Sequence, residues 1–121
     1  MRALVIDDSR ALRRILGEML IQIGFEVADA GDGREGLKRL EQLGQPDLVL
    51  VDWNMPEMNG LDFVRAVRSN STYDAMPIMM VTAETELDQM ATALSAGANE
   101  YVMKPFDKDV IRDKLQLLGV L

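Results

Sequence analysis

The sequence predicts an α/β fold: a doubly wound, five-stranded parallel sheet with helices on both faces. Three observations predict it. Short β-rich apolar runs alternate with amphipathic helical patterns five times along 121 residues, as expected of repeated βα units joined by right-handed crossovers. Three of the runs, ALVID, LVLVD and IMMVT, are almost continuous in apolar residues, as strands covered by helices on both faces are. Each of these runs closes on a polar residue, Asp7, Asp52 or Thr82.

The elements follow in order. The first strand is expected over Ala3–Asp7. Ser9 then serves as a helix N-cap, and Leu12, Ile15, Leu16, Met19, Leu20 and Ile23 recur at the spacing of one helical face. Gly24 stands where that helix should stop. Strands are predicted over Glu26–Ala30, Leu48–Asp52, Ile78–Thr82 and Glu100–Met103, with helices over Arg34–Leu43, Leu61–Ser69, Leu87–Ala96 and Lys108–Leu118. Gly44 and Gly97 mark two further helix ends. Of the nine methionines, Met76, Met79, Met80 and Met19 read as core fillers, while Met55 and Met58 fall in the loop after Asp52. Asp29, Asp32 and Asp47 read as surface or turn residues. Glu84, Glu86 and Asp88 favour a helix N-terminus electrostatically.

Bulk composition excludes several classes of function. Hydrophobic residues make up 48% of the chain, enough for a sizeable core. A net charge of -7 argues against nucleic acid and anionic membrane as partners and favours proteins with basic patches. There is no Cys and no His, so disulfides, zinc–thiolate sites, thiol nucleophiles and histidine bases are excluded. Any chemistry runs on carboxylates, Lys, Thr and backbone. No apolar run approaches the roughly 18 residues of a membrane span. The opening MRALVIDDSR meets two aspartates too early for a signal peptide, so the cytoplasm is the expected address. The closing LLGVL lacks a linker-like tail, and a single stand-alone domain, monomeric by default, is expected over residues 1–121.

In an open doubly wound sheet, ligands bind beyond the carboxyl ends of the strands, where the strand order reverses. Asp7, Asp8, Asp52, Thr82 and Lys104 all fall at such ends. If the first and third strands are neighbours, three carboxylates share one small site, and their mutual repulsion is relieved by a hard divalent cation. With no soft ligand in the chain, Mg²⁺ is the natural choice. Asp8 by itself reads equally well as a helix cap. Lys104, in YVMKPF, is placed to neutralise a phosphoryl oxygen, and Lys104–Pro105 is a candidate cis peptide. The Thr82 hydroxyl can donate to the same oxygen.

IDDS, DWNMPEMNGLDF, VTAE and YVMKPF, in this order and spacing, resemble the response-regulator receiver family, most closely its CheY-type chemotaxis regulators, over essentially the whole chain. The resemblance implies a flavodoxin-like (CheY-like) sheet of strand order 2-1-3-4-5. It implies that Asp52 accepts a phosphoryl group from a phosphohistidine on a sensor kinase or phosphotransfer protein. Asp8 and Asp52 would be direct Mg²⁺ ligands, Asp7 would act mainly through water, and Asn54 would offer its backbone carbonyl. Thr82 and Lys104 would bind the phosphoryl oxygens, and Tyr101 would be the switch aromatic. Met90, Leu94, Tyr101, Met103 and Lys114 are then candidates for contact with a downstream target, such as a flagellar motor switch or another signalling protein. Such a protein is no enzyme in the conventional sense, but catalyses its own Mg²⁺-dependent phosphorylation and dephosphorylation. Glu84 and Asn54 would govern water access to the phosphoaspartate and favour fairly quick loss of phosphate.

Three other readings compete, one of them a receiver used only as a docking module with no phosphorylation, against which the intact site argues. A haloacid-dehalogenase-type phosphatase also combines Asp, Mg²⁺, Thr and Lys, but its nucleophile closes the first strand in a DxD arrangement, whereas Asp52 closes the third. A flavin carrier needs a phosphate-cradling loop after the first strand, where this chain places Asp7 and Asp8.

Overall fold

A computed structural model describes residues 1–83 and 88–121. The most apolar runs form the middle of the sheet: β1 (Arg2–Ile6), β3 (Leu48–Asp52) and β4 (Ile78–Thr82), the last two buried along their whole length. The less apolar β2 (Glu26–Ala30) and β5 (Glu100–Met103) take the edges. All pairings are parallel, in the order β2-β1-β3-β4-β5. The predicted fold class and strand order are therefore observed. The chain runs outward from β1 to β2 and returns on the other side of β1 to β3, so the order reverses between β1 and β3.

Alternation along each strand divides the core into two layers. Ala3, Val5, Leu48, Leu50, Met79 and Val81 meet Leu16 and Leu20 of α1 (Arg10–Ile23) and Ile111 and Leu115 of α5 (Lys108–Leu117). On the opposite face, Leu4, Ile6, Val49, Val51, Ile78 and Met80 meet Leu40 of α2 (Gly33–Leu43), Phe63 and Val67 of α3 (Gly60–Arg68), and Met90 and Ala93 of α4 (Met90–Ala96).

Element ends follow local hydrogen bonding. Ser9 caps α1 as expected, its hydroxyl accepting the Leu12 N–H at 3.2 Å. Asp32, Asn59 and Asp107 cap α2, α3 and α5 in the same manner. The Asn59 cap starts α3 at Gly60, one residue before the expected Leu61. At Gly60 a Cβ would lie 2.5 Å from the Asp52 carbonyl oxygen, so only glycine lets α3 begin so close to the tip of β3. Strand β1 runs Arg2–Ile6 rather than Ala3–Asp7, because Arg2 pairs in parallel register with Glu26 of β2, and on its other side it donates its N–H to Asp47 Oδ2 at 2.8 Å and accepts the Asp47 N–H. Asp7 keeps one sheet contact, N–H to the Ala30 carbonyl at 3.1 Å, and then leaves the strand. The expected start of the fourth helix at Leu87 lies outside the described residues, as do Glu84 and Glu86.

Candidate functional site

Asp7, just past β1, turns its side chain back to accept the Ser9 N–H on Oδ1 at 2.8 Å. Its Oδ2 is buried with no hydrogen-bond partner among the described residues. Asp8 follows, exposed to solvent. Asp52 closes β3 beside Val81 of β4 and is 5% exposed. One oxygen from each of Asp7, Asp8 and Asp52 lies within 4.8 Å of the others. The three acids thus converge where the strand order reverses.

Lys104 leaves the end of β5. Its N–H bonds the Thr82 carbonyl at 2.7 Å, and its Nζ stands 3.3 Å from Asp52 Oδ1. The Lys104–Pro105 peptide is cis. Thr82 ends β4 fully buried, with its hydroxyl donating to the Ala83 carbonyl at 3.2 Å. Asn54 is exposed two residues beyond Asp52.

Among the described residues, charge at the site is unbalanced, with three clustered carboxylates and one lysine beside Asp52. Burial pushes the Asp7 carboxyl up to about 6 from 3.8; the Ser9 N–H opposes the shift, the Asp52 charge adds to it, Lys104 opposes it and Asp8 adds to it. The origin is physical: a carboxylate removed from water, with one oxygen unsatisfied, sits beside like charges. A hard cation would satisfy that oxygen and offset the repulsion. The all-oxygen donor set is compatible with Mg²⁺.

The remaining predicted residues lie farther out. Tyr101 sits on β5, half-buried against the α2–α3–α4 layer, with Lys114 Nζ 4.9 Å from its ring centroid. Leu94 and Met103 are 41% and 39% exposed. Met90 does not belong with them: at 3% exposure it is core, because α4 turns the side carrying Met90 and Ala93 toward the sheet. Asp29 and Asp47 are surface or turn residues, Asp29 in an ion pair with Arg13 and Asp47 holding Arg2.

Sequence reasoning missed two arginines. Arg68 donates to the carbonyls of Tyr73, Met76 and Gly97 and to Asn99 Oδ1. Arg13 holds the Asp7 carbonyl and Asp29. A faint signal existed for Arg13, which stands three and seven residues before Leu16 and Leu20, on the buried side of α1.

A family model for the response regulator receiver domain matches residues 3–116. The chain belongs to the response regulator receiver family. This receiver is 43% identical over 119 residues to chemotaxis protein CheY1 of Helicobacter pylori, covering 98% of this chain and 96% of that one. It is 42% identical over 117 residues to chemotaxis protein CheY of Pseudomonas aeruginosa, covering 96% and 94%. Among solved structures, chemotaxis response regulator CheY4 of Vibrio cholerae superposes with a TM-score of 0.88 at 37% identity, covering 97% of each chain. Receivers are the response-regulator partners of two-component phosphorelays and are not conventional enzymes. No helix among the described residues is long and apolar enough to cross a membrane.

Proposed function

We propose that residues 1–121 act as one receiver that takes a phosphoryl group on Asp52 from a histidine kinase or phosphotransfer protein, in a Mg²⁺-dependent reaction it catalyses itself, and signals in chemotaxis. One observation carries the reading. A buried carboxylate at the tip of β3 meets a lysine at 3.3 Å and shares a 4.8 Å cluster with two more acids at the point where the strand order reverses.

An oxygen of Asp52 attacks the phosphorus of the donor phosphohistidine; the P–N bond breaks, and the imidazole leaves on the donor protein with its electron pair. This chain has no His, so the donor imidazole comes from another molecule. Phosphoryl transfer needs alignment and neutralisation of spread charge more than a strong base. Lys104 supplies one cation at Asp52, and Thr82, on the neighbouring strand, turns its hydroxyl from Ala83 to the new phosphoryl oxygens. Asp7, Asp8, Asp52 and the Asn54 carbonyl would hold Mg²⁺, which when bound supplies further positive charge against the transferring group. Hydrolysis of the acyl phosphate resets the state, and Asn54, exposed beside the site, leaves water free access.

Thr82 and Lys104 are linked through the backbone, so their movement toward the phosphoryl group carries to β5 and to Tyr101. Leu94, Tyr101, Met103 and Lys114 then form the face that a target protein reads. The names of the relatives point to chemotaxis, and therefore to a target such as the flagellar motor switch. The protein works as a cytoplasmic monomer.

Trp53, the one tryptophan in the chain, adjoins Asp52 and is 7% exposed. Mg²⁺ should change its fluorescence, and acetyl phosphate should change it again. Asp52→Asn should keep the fold and lose the second response together with acid-labile phosphate incorporation. Incorporation by the variant equal to the parent's would refute Asp52 as the acceptor.

A further inference from the structure

Resting on the metal-site reading above, we propose that Arg13 is a positioning residue that fixes the Asp7–Asp8 turn in the geometry a magnesium ion requires. Arg13 lies one helical turn after the Ser9 cap of α1. Its Nη1 donates to the Asp7 carbonyl at 2.7 Å, and its Nε meets Asp29 Oδ2 on β2 at 3.1 Å. Asp29 is itself tied to α2, its carbonyl accepting from Arg39 Nε at 3.2 Å. The Arg13 side chain is 18% exposed where that of its neighbour Arg14 is 83% exposed, so Arg13 is built into the fold and Arg14 is solvated. Gly31 lies beside it, where a Cβ would reach van der Waals contact with Arg13 Nη1 at 3.4 Å.

The carbonyl that Arg13 grips belongs to the peptide joining the two aspartates, whose plane sets the directions in which both side chains leave the backbone. The Ser9 N–H holds the Asp7 carboxylate while Arg13 holds the peptide behind it. A planar guanidinium bonded to two acceptors fixes angles that a single donor leaves free. Mg²⁺ demands near-ideal octahedral geometry, whereas Ca²⁺ tolerates irregular sites. Changes to groups that orient ligands typically cost about 10- to 100-fold in metal affinity.

Charge and geometry predict opposite signs here. Arg13 places a positive charge near a cation site, so by Coulomb's law alone its removal tightens binding. If Arg13 acts by position, its removal weakens binding.

The test is calorimetric titration of the full chain with MgCl₂ and with CaCl₂, comparing the parent with Arg13→Gln and Asp29→Asn. Urea melts in EDTA confirm that each variant is folded. Arg13→Gln should weaken Mg²⁺ binding about 10-fold and Ca²⁺ binding less than about 3-fold. Asp29→Asn keeps an acceptor for Nε and should stay within about 2-fold for both ions. Unchanged or tighter Mg²⁺ binding in folded Arg13→Gln overturns the inference, as does an equal loss for the two ions, which would mean a collapsed turn. A parent that binds neither ion refutes the metal-site reading itself, and this inference with it.

Discussion

Replacing Asp7 by Asn should stabilise the metal-free protein at neutral pH. A buried carboxyl whose pKa rises from 3.8 to about 6 is penalised once it ionises. Each tenfold change in proton affinity is worth about 1.4 kcal/mol, so the penalty here is about 3 kcal/mol. The sign follows from proton counting. Between about pH 4 and 6 the folded state binds more protons at Asp7 than the unfolded state does, so stability falls as pH rises through that window, and the full penalty stands above it. Asn keeps an Oδ1 to accept the Ser9 N–H and replaces the partnerless Oδ2 with an amide that can donate to the neighbouring carboxylates. Allowing for the cost of burying the amide, the gain should be about 1–3 kcal/mol at pH 7.5, or roughly 4 °C in Tm per kcal/mol for a chain of this size. Urea unfolding in EDTA, followed at Trp53, measures it. By pH 4 the gain should shrink below about 1 kcal/mol, because Asp7 is then neutral in the folded parent. In the parent, Mg²⁺ should raise stability at pH 7.5 and do so progressively less below pH 6. A variant no more stable than the parent at pH 7.5, or a gain independent of pH, would refute the account of a strained acidic site.

Two further predictions concern how the site is held. Gly60→Ala should destabilise by about 1–3 kcal/mol in urea melts, because its Cβ meets the Asp52 carbonyl oxygen at 2.5 Å and Met80 Cε at 2.7 Å; it should also slow acetyl phosphate labelling of the folded protein, since the backbone of Asp52 must move. Arg68→Lys should cost about 2–4 kcal/mol, because a point charge cannot reach the four acceptors of the guanidinium, whose pKa burial already lowers, against the opposing effect of Asp74. Labelling of Asp52 per folded molecule should stay within about 2-fold of the parent.

The interior strands are legible in the sequence because burial on both faces leaves a continuous apolar run, and the polar residue that ends each run shows where the site forms. The start of β1 is not. Apolarity alone does not reveal that Arg2, a charged residue, joins the sheet by pairing with Glu26 of β2, with Asp47 holding its other side. Met90 misleads because Met90, Ala93 and Leu94 form one continuous helical stripe, and only the packing of α4 on the sheet decides that the first two are buried and Leu94 lies at the rim. Arg68 is illegible for a different reason, and Arg13 nearly so. Three of the four acceptors of Arg68 and one of the two of Arg13 are backbone carbonyls, which every residue carries, so no side-chain pattern marks those bonds.

The acidic site also explains why so rigid a frame surrounds it. Three carboxylates drawn within 4.8 Å would move apart if their backbone could yield. Asp52 yields only at a cost, because β3 lies between β1 and β4 and is buried throughout, and Gly60 packs directly on its carbonyl. The repulsion is therefore kept rather than relaxed, and it is available to draw in a cation. In the proposed function, a phosphoryl group on Asp52 would add charge at the same point. The groups left to respond are those bound less tightly: Lys104, whose side chain is 33% exposed, and, through the Lys104 N–H on the Thr82 carbonyl, the edge strand β5. In the proposed switch, a stiff centre and a softer edge turn a local change of charge into a displacement at Tyr101.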